Sequence, residues 1–517
     1  MKTTNKIKTT AFGLFLLFFV GCTSDFDDLN TNPDTSSSTT SSMLATNLII
    51  AHAKTGGKEG SDFLSKRLFW GEQVYNIQYN RIGKGSFEQI REITNAQKMV
   101  DLCTDDRKNA YIGLYYYMKA WAFYSATMTM GDVPYSEALQ IEKFRTPKYD
   151  EQKDVFKGIL HDLEQADSYF AIATKSMEGD PFYGGDPKLW RKAANVFRLK
   201  VLLNLEKRVA DTPELKVKET FKKVVSEGNI FESNADNLKI TYSDKAGQQN
   251  PFHKNNTRSI DTYAGTKTII DPLKQLKDYR LFYYFAPAQA LTESLYLPEG
   301  ASLLQRNDWN AYNGLNAAGD FGEEQKKIAA RMHPRLNDIY RTSYIGTPAL
   351  RLSYADMNLI LAEAAEIGWI DGVAKTYYEK GIRASFEYVR SSVPDEEKYT
   401  QGMSITNQYI TDYLSSPEVA YANGNTQKDR LKKIWLQATL GSFLHLAWDS
   451  YYQYRRTAYP ELPINPETNL NDMKDRIPVR WLYPEWETNY NREQVRIALE
   501  RQWGGAEDIN KIMWIIK

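Results

Sequence analysis

Aromatic and hydrogen-bonding side chains are concentrated in one polar, loop-like part of the sequence, between residues 283 and 312. A sugar presents apolar C–H faces and hydroxyl groups, so a site that binds a glycan needs both ring faces and polar partners. The run Arg306–Trp309 supplies both kinds of group. We therefore predict a ligand-binding surface formed by the following residues: Tyr283, Tyr284, Tyr296, Arg306, Asn307, Asp308, Trp309 and Tyr312.

A second candidate for ligand binding is the run Tyr79-Asn80-Arg81, which follows an early apolar stretch. Tyr75 and Tyr79 would share one face of a helix at i, i+4. Trp70, in the same stretch, is more typical of core packing. Because the predicted helix ends at this run, we expect its side chains to be open to solvent and able to contact a ligand.

The sequence carries no motif typical of a catalytic or metal site. The five histidines show no His-Glu-x-x-His spacing, and no Gly-x-Ser-x-Gly turn occurs. Ca²⁺ is compatible with the Asp- and Asn-rich loops, but no loop has the required ligand spacing, so no cofactor is predicted. The 65 acidic residues always provide carboxylate pairs, so a glycoside hydrolase stays an alternative without specific support.

The charge balance excludes one class of partner. Lys and Arg together number 65, as do Asp and Glu, and the formal net charge is zero. A neutral chain has no overall field that could hold a polyanion. Nucleic acid is therefore not expected as a partner.

The elements that must position these side chains are mostly helical, and the sequence predicts an all-α fold. Apolar residues recur every three or four positions along residues 43–244 and 351–517, which we predict to be a helical scaffold. Within it, Ser61–Ile77 and Asp429–Tyr451 are each predicted to be a single helix. Residues 245–350 are rich in Asn, Gly, Pro and Asp, so they are predicted to form a loop-rich, ligand-facing lobe on that scaffold.

The segment from Leu361 to Gly381 has the pattern of a tetratricopeptide unit. Small residues such as Ala362 and Ala374 would let two antiparallel helices touch, and Tyr378 would fill the seam. A weaker copy lies in Tyr111–Ala126, and a plain helical hairpin is the alternative. Because one such unit cannot bury its faces alone, several are expected.

The N-terminus is organised like a bacterial lipoprotein precursor. Residues 1–21 combine three lysines with an apolar run that is too short to span a bilayer, as in a signal peptide. Cys22 then stands where such precursors are cleaved and acylated, so we predict it to be the lipidation site. Residues 22–42, with their Ser/Thr run, are predicted to be a flexible tether between this lipid anchor and a single domain at 43–517.

Several blocks of the sequence, taken in order, resemble the SusD/RagB family of nutrient-binding outer membrane lipoproteins, especially its second SusD-like subgroup. The resemblance extends from Cys22 almost to the C-terminus. It rests on these blocks: Asp25–Pro33, Met118–Leu139, Pro147–Gln152, Tyr183–Asp186, Asp271–Arg280, Ser353–Ala364, Trp448–Pro463 and Pro478–Asn491.

The resemblance implies a SusD-like fold with about four tetratricopeptide-like hairpins packed against a loop-rich lobe with little strand. It implies a non-catalytic protein, lipid-anchored at the outer membrane and facing the cell exterior. Such a protein captures a nutrient, mostly an oligosaccharide, and delivers it to a SusC-like TonB-dependent transporter. Peptide capture by a RagB-like lipoprotein is the alternative within the family, and a surface glycoside hydrolase is the less favoured alternative outside it.

Overall fold

A computed structural model of the chain describes residues 39–54 and 58–517. The predicted signal peptide, Cys22 and most of the predicted tether lie outside these residues. Of the described residues, 53% are helical and only 5% are in strands, which confirms the all-α prediction. The first helix begins at Ser41, so the last two residues of the predicted tether are helical.

Twenty α-helices lie in the described part of the chain. The first ten are α1 Ser41–Lys54, α2 Lys58–Leu64, α3 Glu88–Leu102, α4 Lys108–Met130, α5 Gln152–Ile172, α6 Pro187–Asn204, α7 Val217–Glu227, α8 Lys267–Gln275, α9 Arg280–Tyr284 and α10 Gln289–Thr292. The others are α11 Phe321–Ala329, α12 Asp338–Arg341, α13 Tyr354–Glu366, α14 Ala374–Ser392, α15 Glu397–Thr400, α16 Asn407–Ser415, α17 Gln427–Gly441, α18 Asp449–Thr457, α19 Glu485–Tyr490 and α20 Arg492–Trp503.

Consecutive helices pack against each other along the scaffold, most extensively α4 with α5 and α13 with α14, and also α3 with α4, α5 with α6, α6 with α7, and α17 with α18. Two of these contacts depend on glycine. A Cβ placed on Gly381 would lie 2.8 Å from Leu359 Cγ, and one on Gly113 would lie 2.7 Å from the ring of Phe170. Tyr378 is 1% exposed. Small residues at the contact and a buried aromatic beside it are the features that the tetratricopeptide pattern predicts.

Two predicted helices are wrong in extent, and both break where non-glycine residues adopt left-handed backbone. The predicted helix Ser61–Ile77 ends as α2 at Leu64, because Lys66 has φ 61° and the chain continues into a strand. The predicted helix Asp429–Tyr451 is two helices, α17 and α18, with Leu444 at φ 56° and Trp448 at φ 68° between them. Helical periodicity in the sequence does not report such turns.

Short strands join the lobe to the N-terminal part of the scaffold. A four-stranded antiparallel sheet has the order β1-β3-β5-β4. A two-stranded antiparallel sheet pairs β2 with β6. The strands are β1 Leu68–Trp70, β2 Leu238–Ile240, β3 Tyr263–Gly265, β4 Phe285–Ala286, β5 Arg335–Leu336 and β6 Ala349–Leu352.

The buried apolar side chains form two large clusters, which we call the scaffold core and the lobe core. The scaffold core lies mainly among α1 and α3–α7. The lobe core lies between residues of 245–350 and the helices α14, α16 and α17. A buried ion pair links α18 to α13. Both terminal nitrogens of Arg456 donate to the carboxylate oxygens of Glu363, at 2.6 and 2.8 Å. None of the helices in the described ranges is long and apolar enough to cross a membrane.

Candidate functional site

Trp309 lies half-buried on the surface of the lobe, at the start of a short 3-10 helix, Trp309–Ala311. The carboxylate of Asp308 caps this helix by accepting a 2.8 Å hydrogen bond from the N–H of Asn310. One face of the indole packs on Phe282, with the ring centroids 4.8 Å apart at 65°. The Nζ of exposed Lys277 stands 4.9 Å from the indole centroid, a cation–π geometry.

Two tyrosines extend this surface beyond Trp309. Tyr279 and Tyr409 are both half-buried and stack in parallel, 3.7 Å apart at 14°. Tyr279 also lies 6.4 Å from Trp309. We call the set Lys277, Tyr279, Trp309 and Tyr409 the lobe platform. It offers half-buried rings beside the exposed side chain of Asn307, and the flexible Lys277 side chain over the indole must move aside before a sugar can stack on that face.

The lobe platform rests on a fully buried ion pair. Asp278 and Arg280 are both 0% exposed and join at 2.6 Å. Asp278 also accepts a 2.8 Å hydrogen bond from the hydroxyl of Tyr413, and Arg280 donates to Gln437 at 2.7 Å. Burial would lower the pKa of Arg280, but the adjacent Asp278 more than offsets it, so the pKa lies above its usual value. The pair fixes Asp278 in the core, and its neighbours Lys277 and Tyr279 therefore reach the surface beside Trp309.

Tyr409 is held by hydrogen bonds to the same turn. Its hydroxyl accepts from the N–H of Tyr279 at 2.8 Å and donates to the carbonyl of Lys277 at 3.0 Å. Burial, and next the nearby Asp278, raise the pKa of Tyr409. The hydroxyl thus stays protonated, and its ring orientation is fixed by the backbone of the turn.

Tyr312 supports the loop from below. Its ring is 0% exposed, and its hydroxyl donates a 2.8 Å hydrogen bond to the carbonyl of Arg306. Burial raises the pKa of Tyr312, which keeps this donor protonated. Arg306 in turn donates to Gln401 at 2.8 Å. Tyr312 was predicted to contact the ligand, but a fully buried ring has no face to offer, so we assign it a positioning role.

The predicted ligand contacts Tyr283 and Tyr284 also require correction, because they lie in the lobe core. They are 3% and 0% exposed. Both belong to α9, all five residues of which are buried. The hydroxyl of Tyr284 donates to the carbonyl of Leu440 at 3.2 Å, and that of Tyr283 accepts from the N–H of Ile405 at 3.3 Å. Their hydroxyls are used to join the lobe to the scaffold.

In the second predicted ligand-binding run, Tyr79-Asn80-Arg81, two residues are buried and one is exposed. Tyr79 and Asn80 are each 3% exposed, so they are corrected to structural residues. The hydroxyl of Tyr79 donates to the carbonyl of Gly319 at 3.1 Å, and Asn80 adopts a left-handed turn with φ 64°. Only Arg81 is exposed. The early helix ends before this run, and the sheet and the segment around residue 470 cover it.

Tyr296 lies on a different segment of the lobe and is half-buried. The guanidinium of Arg331 stands over its ring, 4.2 Å from the centroid. One face of this ring is therefore already used. Tyr296 stays a candidate contact at the margin of the lobe.

The lobe platform is suited to non-covalent binding. The carboxylate of Asp278 is engaged by Arg280 and that of Asp308 by a helix N-terminus, so neither is presented as a general acid or base. Within residues 39–54 and 58–517, no group of three or more His, Cys, Asp or Glu side chains could hold a metal ion. The chemistry on offer is ring stacking with hydrogen bonds from Lys277, Asn307 and Arg306.

Sequence reasoning missed three members of the lobe platform. Lys277 and Tyr279 are the two neighbours of Asp278, whose ion pair with Arg280 is local in the sequence but becomes buried only in the fold. Tyr409 lies in the predicted helical scaffold, more than a hundred residues away from Tyr279 along the chain. The one available signal was the mixed Asp-Tyr-Arg run at 278–280, where a large ring stands between two charged residues.

Known proteins share the sequence pattern and the fold of this chain. The sequence matches the family SusD-like_2, described as starch-binding and associating with the outer membrane, over residues 33–484. A crystal structure of a SusD homologue from Bacteroides fragilis is 42% identical, with a TM-score of 0.87, and covers 93% of this chain and 100% of that chain. A second SusD homologue from the same organism is 31% identical, with a TM-score of 0.80 and the same coverage.

A more distant structure, a chitin-binding SusD homologue from Flavobacterium johnsoniae, shares the fold at 18% identity. Its TM-score is 0.69, and the match covers 92% of this chain and 98% of that chain. Among curated proteins, none matches the sequence significantly. The resemblance drawn from the sequence blocks is thereby confirmed.

Proposed function

Because this chain belongs to the SusD-like family, we propose that it is a non-catalytic surface lipoprotein that captures a nutrient glycan. We propose further that it delivers the glycan to a SusC-like TonB-dependent transporter in the outer membrane. The family as described binds starch and associates with the outer membrane. The anchor in this proposal is the lipid on Cys22, which lies outside the described residues.

The observation that carries the proposal is the lobe platform. Half-buried rings that are fixed by the core but partly open to solvent lose little conformational freedom when a sugar stacks on them. The stack of Tyr279 on Tyr409, at 3.7 Å, covers one face of each ring and holds the pair rigid, so a sugar would meet the outer faces and edges of the pair. Lys277 and Asn307 stand beside it as hydrogen-bond donors for hydroxyl groups. An aromatic floor with polar margins is the arrangement expected of a carbohydrate site.

The test is calorimetry on the full chain, purified in a detergent without a sugar headgroup. The panel contains maltooligosaccharides, chitooligosaccharides, plant polysaccharide fragments, host N- and O-glycans and short peptides. We expect binding to one glycan class, and Trp309→Ala should weaken it by about tenfold or more, which corresponds to about 1.4 kcal/mol. Each mixture is also assayed for new reducing ends, and none is expected.

Tyr490→Ala is the matched control, because Tyr490 is 81% exposed on α19 and lies outside the lobe platform. It should leave binding unchanged. Binding confined to peptides would replace the proposal with peptide capture, and new reducing ends would replace it with glycoside hydrolysis. Equal glycan affinity of the parent and Trp309→Ala proteins would remove the lobe platform from the proposal.

A further inference from the structure

The scaffold contains an aromatic-walled cleft whose tryptophans pack against the scaffold core and not against the lobe core. Its volume is 390 Å³, and it lies between α4, the residues before α3, and the start of α18. Trp121, Trp448 and Trp481 line it, and all three are half-buried against the scaffold core. Trp309, by contrast, packs against the lobe core. The volume falls in the range of about 300–1,000 Å³ that small-molecule sites occupy.

The three indole rings are held in place on their buried sides. Trp448 and Trp481 meet edge to face, with centroids 5.1 Å apart at 90°. Trp121 packs on Phe197 at 4.4 Å, and the guanidinium of Arg351 stands 5.0 Å from its centroid. Rings fixed in this way form rigid walls, and their remaining edges and faces line the cleft.

Trp448 occupies its position at a conformational cost. It adopts left-handed backbone, with φ 68°, at the residue that precedes α18. Such backbone is unfavourable for a bulky side chain and persists only where the surrounding structure enforces it. The turn that carries this strain is the one that directs the indole toward Trp481 at the rim of the cleft.

Polar groups accompany the rings. Lys200 lies 2.5 Å from Asp449 and 3.0 Å from Asp356, and Asp449 keeps 24% of its side chain exposed. Burial lowers the pKa of Lys200, but the two carboxylates outweigh that effect and hold the pKa above its usual value. Ser125 and Gln89 also line the cleft. Lys200 is matched by its two carboxylates, and Lys84 pairs with Glu485 at 3.3 Å. Arg351 and Glu88 also line the cleft, so its walls carry charges of both signs and favour a ligand without net charge.

The cleft continues past Trp121 into an apolar cavity of 220 Å³. Four residues line both spaces: Glu88, Gln89, Trp121 and Ala122. The cavity reaches Leu48 and His52 on α1, and His52 meets the edge of Trp121 at 4.6 Å. Its lining is mostly apolar, which suits an apolar face of a ligand that enters from the cleft.

We propose that this cleft is a second carbohydrate site, which binds a neutral saccharide of one or two sugar rings between Trp121, Trp448 and Trp481. This inference rests on the proposed function for the choice of ligand class, but on a different set of residues. Stacking on the indoles would take the C–H faces of the sugar. The exposed edge of Asp449 and the side chains of Ser125 and Gln89 would take its hydroxyls.

The experiment separates the two sites by measuring binding at each one in a variant protein whose other site has been removed. Maltose, cellobiose, lactose and N,N′-diacetylchitobiose are titrated by calorimetry and indole fluorescence into the full chain carrying Trp309→Ala. At least one disaccharide should still bind. Adding Trp481→Ala should weaken that binding about tenfold or more, and adding Ser125→Trp, which fills the cleft, should abolish it.

Tyr490→Ala in the same background is the matched control and should change nothing. Melting temperatures identify any variant that fails to fold, and Trp481→Phe, which keeps a ring, should retain most of the binding. The inference is overturned if no disaccharide binds the Trp309→Ala protein, or if binding survives both Trp481→Ala and Ser125→Trp. The lobe platform is scored separately, with longer glycans, in the Ser125→Trp protein, so either site can fail alone.

Discussion

The ion pair beneath the lobe platform gives a prediction that connects stability with binding. Asp278→Ala leaves the guanidinium of Arg280, which is 0% exposed, without its counter-charge. It also removes the acceptor of the 2.8 Å hydrogen bond from Tyr413. Loss of one partner of a buried pair costs about 3–5 kcal/mol, because the remaining charge is desolvated and unpaired. We expect Asp278→Ala to lower the free energy of unfolding by that amount.

The assay is urea unfolding followed by tryptophan fluorescence and far-UV circular dichroism, with the free energy taken by linear extrapolation. The double variant Asp278→Ala/Arg280→Met removes both charges. It should therefore be less destabilised than the sum of its single variants, with a coupling of about 1–3 kcal/mol. Asp278→Ala should also weaken glycan binding, because Lys277 and Tyr279 are its immediate neighbours in the lobe platform.

The control is the exposed pair Arg496–Glu493 on α20, whose side chains are 61% and 65% exposed at 2.8 Å. Glu493→Gln should produce no measurable change, because solvent screens such pairs. If Asp278→Ala costs no more than Glu493→Gln, the buried pair does not stabilise the lobe. If the effects of Asp278→Ala and Arg280→Met are simply additive, the two side chains are not coupled.

Three further predictions concern other parts of the molecule. Tyr312→Phe removes the 2.8 Å hydrogen bond to the carbonyl of Arg306, so it should cost about 1 kcal/mol of unfolding free energy and weaken glycan binding, while its ring still fills the core. Gly381→Ala places a Cβ 2.8 Å from Leu359 and should cost about 1–3 kcal/mol, whereas Gly60→Ala, with open space around it, should not destabilise; equal melting temperatures would contradict this. Burial lowers the pKa of His333 from 6.5 to about 4, with Arg335 contributing next. The imidazole of the unfolded chain takes up a proton at a higher pH than that of the folded chain, so the free energy of unfolding should fall by about 3 kcal/mol between pH 6.5 and pH 4. His333→Gln should flatten that part of the profile of urea midpoint against pH.

The helical scaffold could be predicted because its signal is local. Apolar residues recur at helical spacing along α4 and α13, and Gly381 is small where two helices must touch. The positions where predicted helices end early were harder to predict. A residue other than glycine that adopts left-handed backbone, such as Lys66 or Trp448, has no signature in the sequence. Their conformation is imposed by tertiary partners, such as the strand that follows Lys66.

The candidate site was predictable only in part. Trp309 in its polar loop is half-buried, but its companions Tyr283 and Tyr284 are in the core. All three are aromatic residues near polar neighbours in the sequence, so composition cannot separate them. The residues that do join Trp309, namely Tyr279 and Tyr409, come from segments that only chain folding brings together.

By itself, the sequence determined the helical architecture, the family and the order of the elements, since each depends on periodicity or on motifs along the chain. The tertiary structure alone decided which aromatic rings face solvent. Burial depends on every segment that packs around a ring, and those segments are separated along the chain. The cleft of Trp121, Trp448 and Trp481 has the same origin, because three distant parts of the sequence form its walls.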